Sequence, residues 1–163
     1  MNILFLCTGN SCRSIIAEAV FNHLAPPGIR AMSAGSHPTG QVHPRSVALL
    51  KQKGISTEGY YSKSWDDLPA LPDIVITVCS NAAAETCPAY LGDSLRAHWG
   101  VDDPAKIIGS EEEMDAAFEH AYAILRNRVE SFLSIVTQDM PNAYLKKELD
   151  RIGGLSDDIT TKT

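Results

Sequence analysis

The sequence predicts an α/β fold: a three-layer arrangement with a four-stranded parallel sheet between helices on both faces. Three observations predict it. The runs NILFLC (2–7) and DIVITV (73–78) are short and unbrokenly apolar, as strands buried on both faces are. Stretches of helical periodicity lie between such runs. The alternation of the two, without internal repeats, implies right-handed βαβ crossovers and therefore parallel pairing.

Each element has its own signal. Residues 2–7 form the first strand. Ser14 to Leu24 reads as a helix with Ile15, Ala19, Val20, Phe21 and Leu24 on one apolar stripe, stopped by Pro26-Pro27. Residues 29–34 make a second strand, ended by Gly35. PRSVALLKQ (44–52) is helical, with proline at its start and Gly54 beyond its end. DIVITV is the clearest central strand, and His98-Trp99 with neighbours a fourth. Residues 111–136 form a long amphipathic helix, with Met114, Phe118, Ala121, Leu125, Phe132 and Val136 on or near one face. Pro141 to Ile152 adds a short helix through Leu145, Leu149 and Ile152, ended by Gly153-Gly154. The polar residues 156–163 read as a flexible tail. Residues 1–140 are thus expected to be one catalytic domain, and 141–163 a C-terminal helix and tail.

Composition narrows the function. A chain of 163 residues, 44% apolar and 21% charged, suits a single globular domain. The net charge of −6 offers no overall basic surface for nucleic acid or anionic lipid. No apolar run approaches the length of a membrane span. The N-terminal run lacks a basic n-region and is interrupted at once by polar residues, so it is expected to be a core strand of a cytoplasmic protein. In that compartment thiols stay reduced. Cys7, Cys12, Cys79 and Cys87 therefore point to chemistry rather than to structural disulfides. Their spacings, C-x4-C and C-x7-C, fit no zinc knuckle, and no histidines stand at ligand spacing, so no metal is expected.

The stretch LFLCTGNSCRS (4–14) carries the candidate site. Ligands of parallel sheets bind beyond the carboxyl ends of the strands, and Cys7 sits at such an end. The loop Thr8–Gly9–Asn10–Ser11–Cys12–Arg13 must turn into the helix starting near Ser14, with Gly9 and Asn10 suited to positive φ. Such a loop directs successive backbone N–H groups inward as an anion nest. Arg13 adds a fork for two oxyanion oxygens, and the same field is expected to hold Cys7 as a thiolate. Neither GxGxxG nor GK[ST] is present, so this is no dinucleotide or Walker loop. The residues describe an oxyanion cradle with a sulfur nucleophile at its floor.

CTGNSCRS resembles the active-site loop of the low-molecular-weight protein tyrosine phosphatases and of the arsenate reductases built on the same fold. MSAGS (32–36), HPRSVALLKQKGI (43–55), DIVITVC (73–79) and HWGVDDPA (98–105) extend the likeness over most of the chain. It implies that Asp103, before Pro104, is the general acid. It implies that Ser14 bonds the Cys7 sulfur, and that Asn10 holds the loop's shape. Cys12 is read as a loop-shaping residue. A phosphatase needs only Cys7, Arg13 and Asp103, whereas CSNAAAETCP (79–88) resembles the reductase branch, and Ala105 and Lys106 follow where phosphatases carry aromatic residues. The resemblance therefore implies reduction of arsenate to arsenite, in arsenate detoxification. Cys7 attacks arsenate, Cys79 attacks Cys7, and Cys87 attacks Cys79.

A fully helical segment at about 1.5 Å rise per residue would hold Cys79 and Cys87 too far apart to pair, so partial unwinding is required. The implied partners are arsenate, with phosphate or sulfate competing, and an external thiol reductant. No tightly bound cofactor is expected, and the protein is expected to be a monomer. Thioredoxin is favoured over glutathione with glutaredoxin, although seven residues separate the relay cysteines here and some members have six. The alternative is a phosphatase acting through a Cys7 phospho-enzyme. Some reductases bind K+ at positions matching Asn10, Glu18 and Ser33 plus an aspartate. The aspartate's place here reads YSKSW, and Lys63 is the candidate internal cation.

Overall fold

The two unbroken apolar runs lie side by side at the centre of the sheet. The structure, a computed structural model, describes residues 1–79, 94–136 and 139–154. β1 (Asn2–Leu6) and β3 (Ile74–Thr77) pair in parallel, with Ile3 opposite Ile74 and Leu6 opposite Thr77. β2 (Arg30–Ala34) flanks β1, and β4 (Leu95–His98) flanks β3. The order is β2-β1-β3-β4, all parallel. Ile3, Leu4, Phe5 and Leu6 are all fully buried, so both faces of β1 are covered, as a run without polar alternation requires.

Four helices are described: α1 (Arg13–Leu24), α2 (Pro44–Gln52), α3 (Glu111–Ile135) and α4 (Asn142–Gly153). A cluster of four rings joins the sheet to α1 and α3. Phe5 of β1 lies 5.9 Å from Phe21 of α1 and 6.0 Å from Trp99, and Trp99 lies 6.2 Å from Phe132 of α3. Trp99 Nε1 donates to Leu149 O at 3.0 Å, which ties α4 to the sheet. α4 can come this close because its last residue is glycine: a Cβ on Gly153 would stand 2.3 Å from His98 O.

The expected stripe on α1 is corrected. Every residue from Ser14 to Phe21 is buried, Glu18 included, because α1 packs between the sheet, α2 and α3. Its start also differs. α1 begins at Arg13, and Cys12 takes the N-cap position at φ −120° without a side-chain cap. α3 is capped by Ser110, whose Oγ accepts from Glu113 N–H at 3.1 Å, with Glu111, Glu112 and Glu113 complementing the helix dipole. Phe118, Ala121, Leu125 and Phe132 are buried as expected, Met114 and Val136 are half-buried, and Arg128 is buried among them. Among the described residues, no helix is long and apolar enough to cross a membrane. The predicted tail, 156–163, lies outside the described residues.

Candidate active site

Cys7 follows the last residue of β1, yet its N–H still donates to Ala34 O at 3.2 Å, so the sheet holds the nucleophile's backbone. Beyond it, the loop carbonyls are occupied from outside. Thr8 O accepts from His37 N–H, Gly9 O from Thr39 N–H and the Ser62 hydroxyl, and Ser11 O from His43 N–H and the Ser46 hydroxyl. Cys12 O accepts from Ile16 N–H in the first turn of α1. Holding these carbonyls outward favours N–H groups that face the concave side, as an oxyanion nest needs. The strap that does this runs through residues 37–46, a feature the sequence reading passed over.

Asn10 adopts φ 46°, the left-handed conformation that asparagine tolerates better than most side chains. It is fully buried. Its Nδ2 donates to Ser14 Oγ at 2.8 Å and Ser33 Oγ at 2.9 Å, and its Oδ1 accepts from Lys63 N–H at 2.9 Å. Asn10 thus holds the loop to α1, to β2 and to the segment after α2. Among the described residues Ser14 is tied to Asn10, not to the Cys7 sulfur that the resemblance implies. Gly35 packs beneath the loop. A Cβ there would lie 2.3 Å from Thr8 O and 2.6 Å from Cys7 O, so only glycine lets β2 end against the nucleophile.

Arg13, in the first turn of α1, reaches across to the other half of the site. Nη1 donates to Val101 O at 2.9 Å, and Nη2 lies 3.5 Å from Asp103 Oδ2. Among the described residues its buried Nε has no hydrogen-bond partner, a donor suited to an oxyanion oxygen. Asp103 caps the short 3-10 turn Pro104–Lys106, with Oδ1 accepting from Ala105 N–H at 3.0 Å. The two residues predicted to act on one substrate, 90 positions apart in sequence, are therefore brought into contact.

Cys79 follows β3 on the same edge of the sheet and meets the loop. Thr8 N–H points to Cys79 Sγ at 3.4 Å, and Thr8 Oγ1 lies 3.7 Å from it. Cys7 and Cys79 share a hydrogen bond between their side chains. That bond, with burial, pushes the Cys7 thiol up, against the pull of Arg13 and of Gly9 N–H. The expected pull of the loop and Arg13 toward a thiolate is thus opposed by Cys79 and by burial. Burial likewise raises Cys12, whose Sγ sits 4.0 Å from Ser11 Oγ inside the loop. Cys7, Cys12 and Cys79 are all buried. Cys87 and the segment leading to it lie outside the described residues.

A second buried pair underlies the loop. Ser33 Oγ donates to Glu18 Oε1 at 2.5 Å. Burial raises the Glu18 carboxyl, which the Ser33 hydroxyl, Lys63 and Arg30 pull back down. Lys63 is 7% exposed, donates to Tyr61 O at 3.1 Å and lies 4.4 Å from the Tyr61 ring centre. Burial lowers its ammonium while Glu18 raises it. Among the described residues no cluster of three or more His, Cys, Asp or Glu could hold a metal ion.

Comparison with known proteins agrees with this geometry. Residues 2–148 match the family described as low molecular weight phosphotyrosine protein phosphatase. An arsenate reductase of Halalkalibacterium halodurans is 39% identical over 131 residues, covering 80% of this chain and 93% of that protein. The solved arsenate reductase of Archaeoglobus fulgidus superposes with a TM-score of 0.67 at 25% identity, over 81% of this chain and 98% of its own. A thioredoxin-dependent arsenate reductase of Corynebacterium glutamicum gives a TM-score of 0.59 at 27% identity, over 80% of this chain and 60% of its own.

Proposed function

The chain belongs to the low-molecular-weight phosphotyrosine protein phosphatase family, and from that premise we propose that it is an arsenate reductase working through a Cys7/Cys79/Cys87 thiol relay. The observation that carries the relay is the second sulfur: Cys79 stands against the Cys7 loop, hydrogen-bonded to Cys7 and to Thr8 N–H. Phosphoester hydrolysis has no use for a thiol there.

Arsenate enters the cradle, held by loop N–H groups and by Arg13 Nε and Nη2. Cys7 attacks arsenic(V) as the thiolate, its proton passing to the bound oxyanion. Asp103 protonates the departing oxygen, which leaves as water. Cys79 then attacks the Cys7 sulfur of the adduct. The sulfur–arsenic bond breaks, its electron pair stays on arsenic, and arsenite leaves as a Cys7–Cys79 disulfide forms. Two thiols have supplied the two electrons and released two protons. Cys87 attacks Cys79 next, restoring Cys7 and forming the Cys79–Cys87 disulfide that an external dithiol reduces. Thioredoxin is the proposed donor, supported by the thioredoxin-dependent Corynebacterium neighbour; glutathione with glutaredoxin is the competitor in the assay. Lys63 acts as the internal cation under the loop, supported by its burial and its attraction to Glu18. Addition of K+ should therefore leave the parent's rate unchanged, whereas Lys63→Ala should become K+-dependent. K+ activation of the parent would remove this role.

Hydrolysis of phosphomonoesters through a Cys7 phospho-enzyme is the second reading, favoured by the family's own description. Cys79→Ser and Cys87→Ser separate the two. Each should stop catalytic arsenate reduction while leaving aryl-phosphate hydrolysis nearly intact. The Cys87 variant should release one arsenite per enzyme and accumulate the Cys7–Cys79 disulfide, which peptide mass spectrometry detects. The Cys79 variant should release none. If both variants reduce arsenate like the parent, the relay is wrong.

A further inference from the structure

The segment that carries Asp103 is gripped by two arginines from different helices. Its backbone stays with the sheet through Val101, with Trp99 N–H donating to Thr77 O at 2.8 Å and Val101 N–H to Val78 O at 3.0 Å. The carbonyls of Gly100 and Val101 are then taken in turn. Arg128 Nη1, from α3, donates to Gly100 O at 2.8 Å, and Arg13 Nη1, from α1, donates to Val101 O at 2.9 Å.

Arg128 is 3% exposed. Burying a guanidinium is expensive, and an apolar residue of similar volume is often at least as stabilising, so the position calls for a local reason. The neighbouring space supplies one. A cleft of about 450 Å³ opens between α3 and the acid segment, with Val101, Asp103 and Pro104 on one wall and Ala117, His120 and Ile124 on the other. Apolar packing therefore does not fill the space between Asp103 and α3. A directed bond at Gly100, three residues before the acid, sets the path of the chain there.

We infer that Arg128 is a positioning residue: through the Gly100 carbonyl it sets where the Asp103 carboxyl stands relative to Arg13 and the leaving oxygen. The inference rests on the reading of Asp103 as the general acid. Arg128 reaches the acid segment through Gly100 O, so the inferred effect is read at Asp103.

A double-mutant cycle tests this. Reduced enzyme is mixed with arsenate, and the first-turnover rate of arsenite release is measured, which needs no external donor. Asp103→Asn should slow that step by about 100-fold, as loss of a general acid does. Arg128→Met should slow it at least tenfold, since small misplacement of a reacting group is costly. In the Asp103→Asn background the same Arg128→Met change should cost less than twofold. In Arg128→Met, inhibition by inorganic phosphate, which reports on the cradle, should stay within twofold of the parent. Arg128→Lys, which keeps charge and a donor, should recover part of the rate and serves if the methionine variant does not fold. Equal losses from Arg128→Met in both backgrounds, or a loss that appears in phosphate binding instead of rate, would overturn the inference. If Asp103→Asn keeps the parent's rate, the acid assignment fails first and this role falls with it.

Discussion

Opposed influences meet on Cys7. Arg13 and Gly9 N–H favour its thiolate, while the hydrogen bond with Cys79 and burial disfavour it more strongly. The sign of one experiment follows. Removing Cys79 removes the largest upward influence, so the Cys7 pKa must fall in Cys79→Ala. Since the thiolate is the form that reacts with iodoacetamide, alkylation of the Cys7 peptide should turn on at lower pH than in the parent. Mass spectrometry across a pH series reads this, and an unmoved profile would mean that Cys79 does not control Cys7. Arg13 bonds Val101 O, faces Asp103, and among the described residues has a buried Nε without a partner, the donor proposed for an oxyanion. Lysine cannot reproduce that fork. Arg13→Lys should lose about 2–4 kcal/mol of transition-state stabilisation in arsenite release, as other preorganised oxyanion donors do. A rate within about threefold of the parent would place Arg13 outside the cradle.

Among the elements, the oxyanion loop depends less on its own residues than on those around it. α1 begins without a side-chain cap at Cys12, and the strap of residues 37–46 holds the carbonyls that would otherwise compete for the concave side. Gly35 is where this support is tightest. Gly35→Ala must move Thr8 O or Cys7 O, because no flexible side chain is available to give way. The variant should weaken inhibition by phosphate and slow arsenite release together, since both use the same N–H groups. Unchanged phosphate inhibition would show that the loop accommodates the methyl group.

For the whole molecule, the site is built at the carboxyl ends of three adjacent strands, β1, β3 and β4, and α4 lies apart from it. α4 covers Trp99 through Leu149, Leu145 and Ile152, all buried. Leu149→Ala should lower stability by about 2–5 kcal/mol, as large-to-small core changes do. Trp99 Nε1 bonds the backbone carbonyl of Leu149, so that contact survives the substitution. Below the new melting transition, the first-turnover rate should match the parent's. A rate loss in fully folded enzyme would connect α4 to the acid segment.

Sequence alone determined the local chemistry. CTGNSCRS shows its purpose because a nucleophile, a turn and an arginine lie within one loop, and their spacing is itself the geometry. The order of elements was equally legible, since unbroken apolar runs and helical periodicity follow from which faces are buried. Tertiary structure decided what depends on distant neighbours. Thr8 and Cys79 are 71 positions apart and meet only because β1 and β3 are adjacent. The upward pull on the Cys7 thiol follows from that meeting, since the field of a loop does not set a pKa without the groups facing it. The all-round burial of α1, the attraction between Glu18 and Lys63, and the hold of Arg128 on Gly100 O have the same origin. Each joins segments that no periodicity or motif links, and each exists only once the layers have packed.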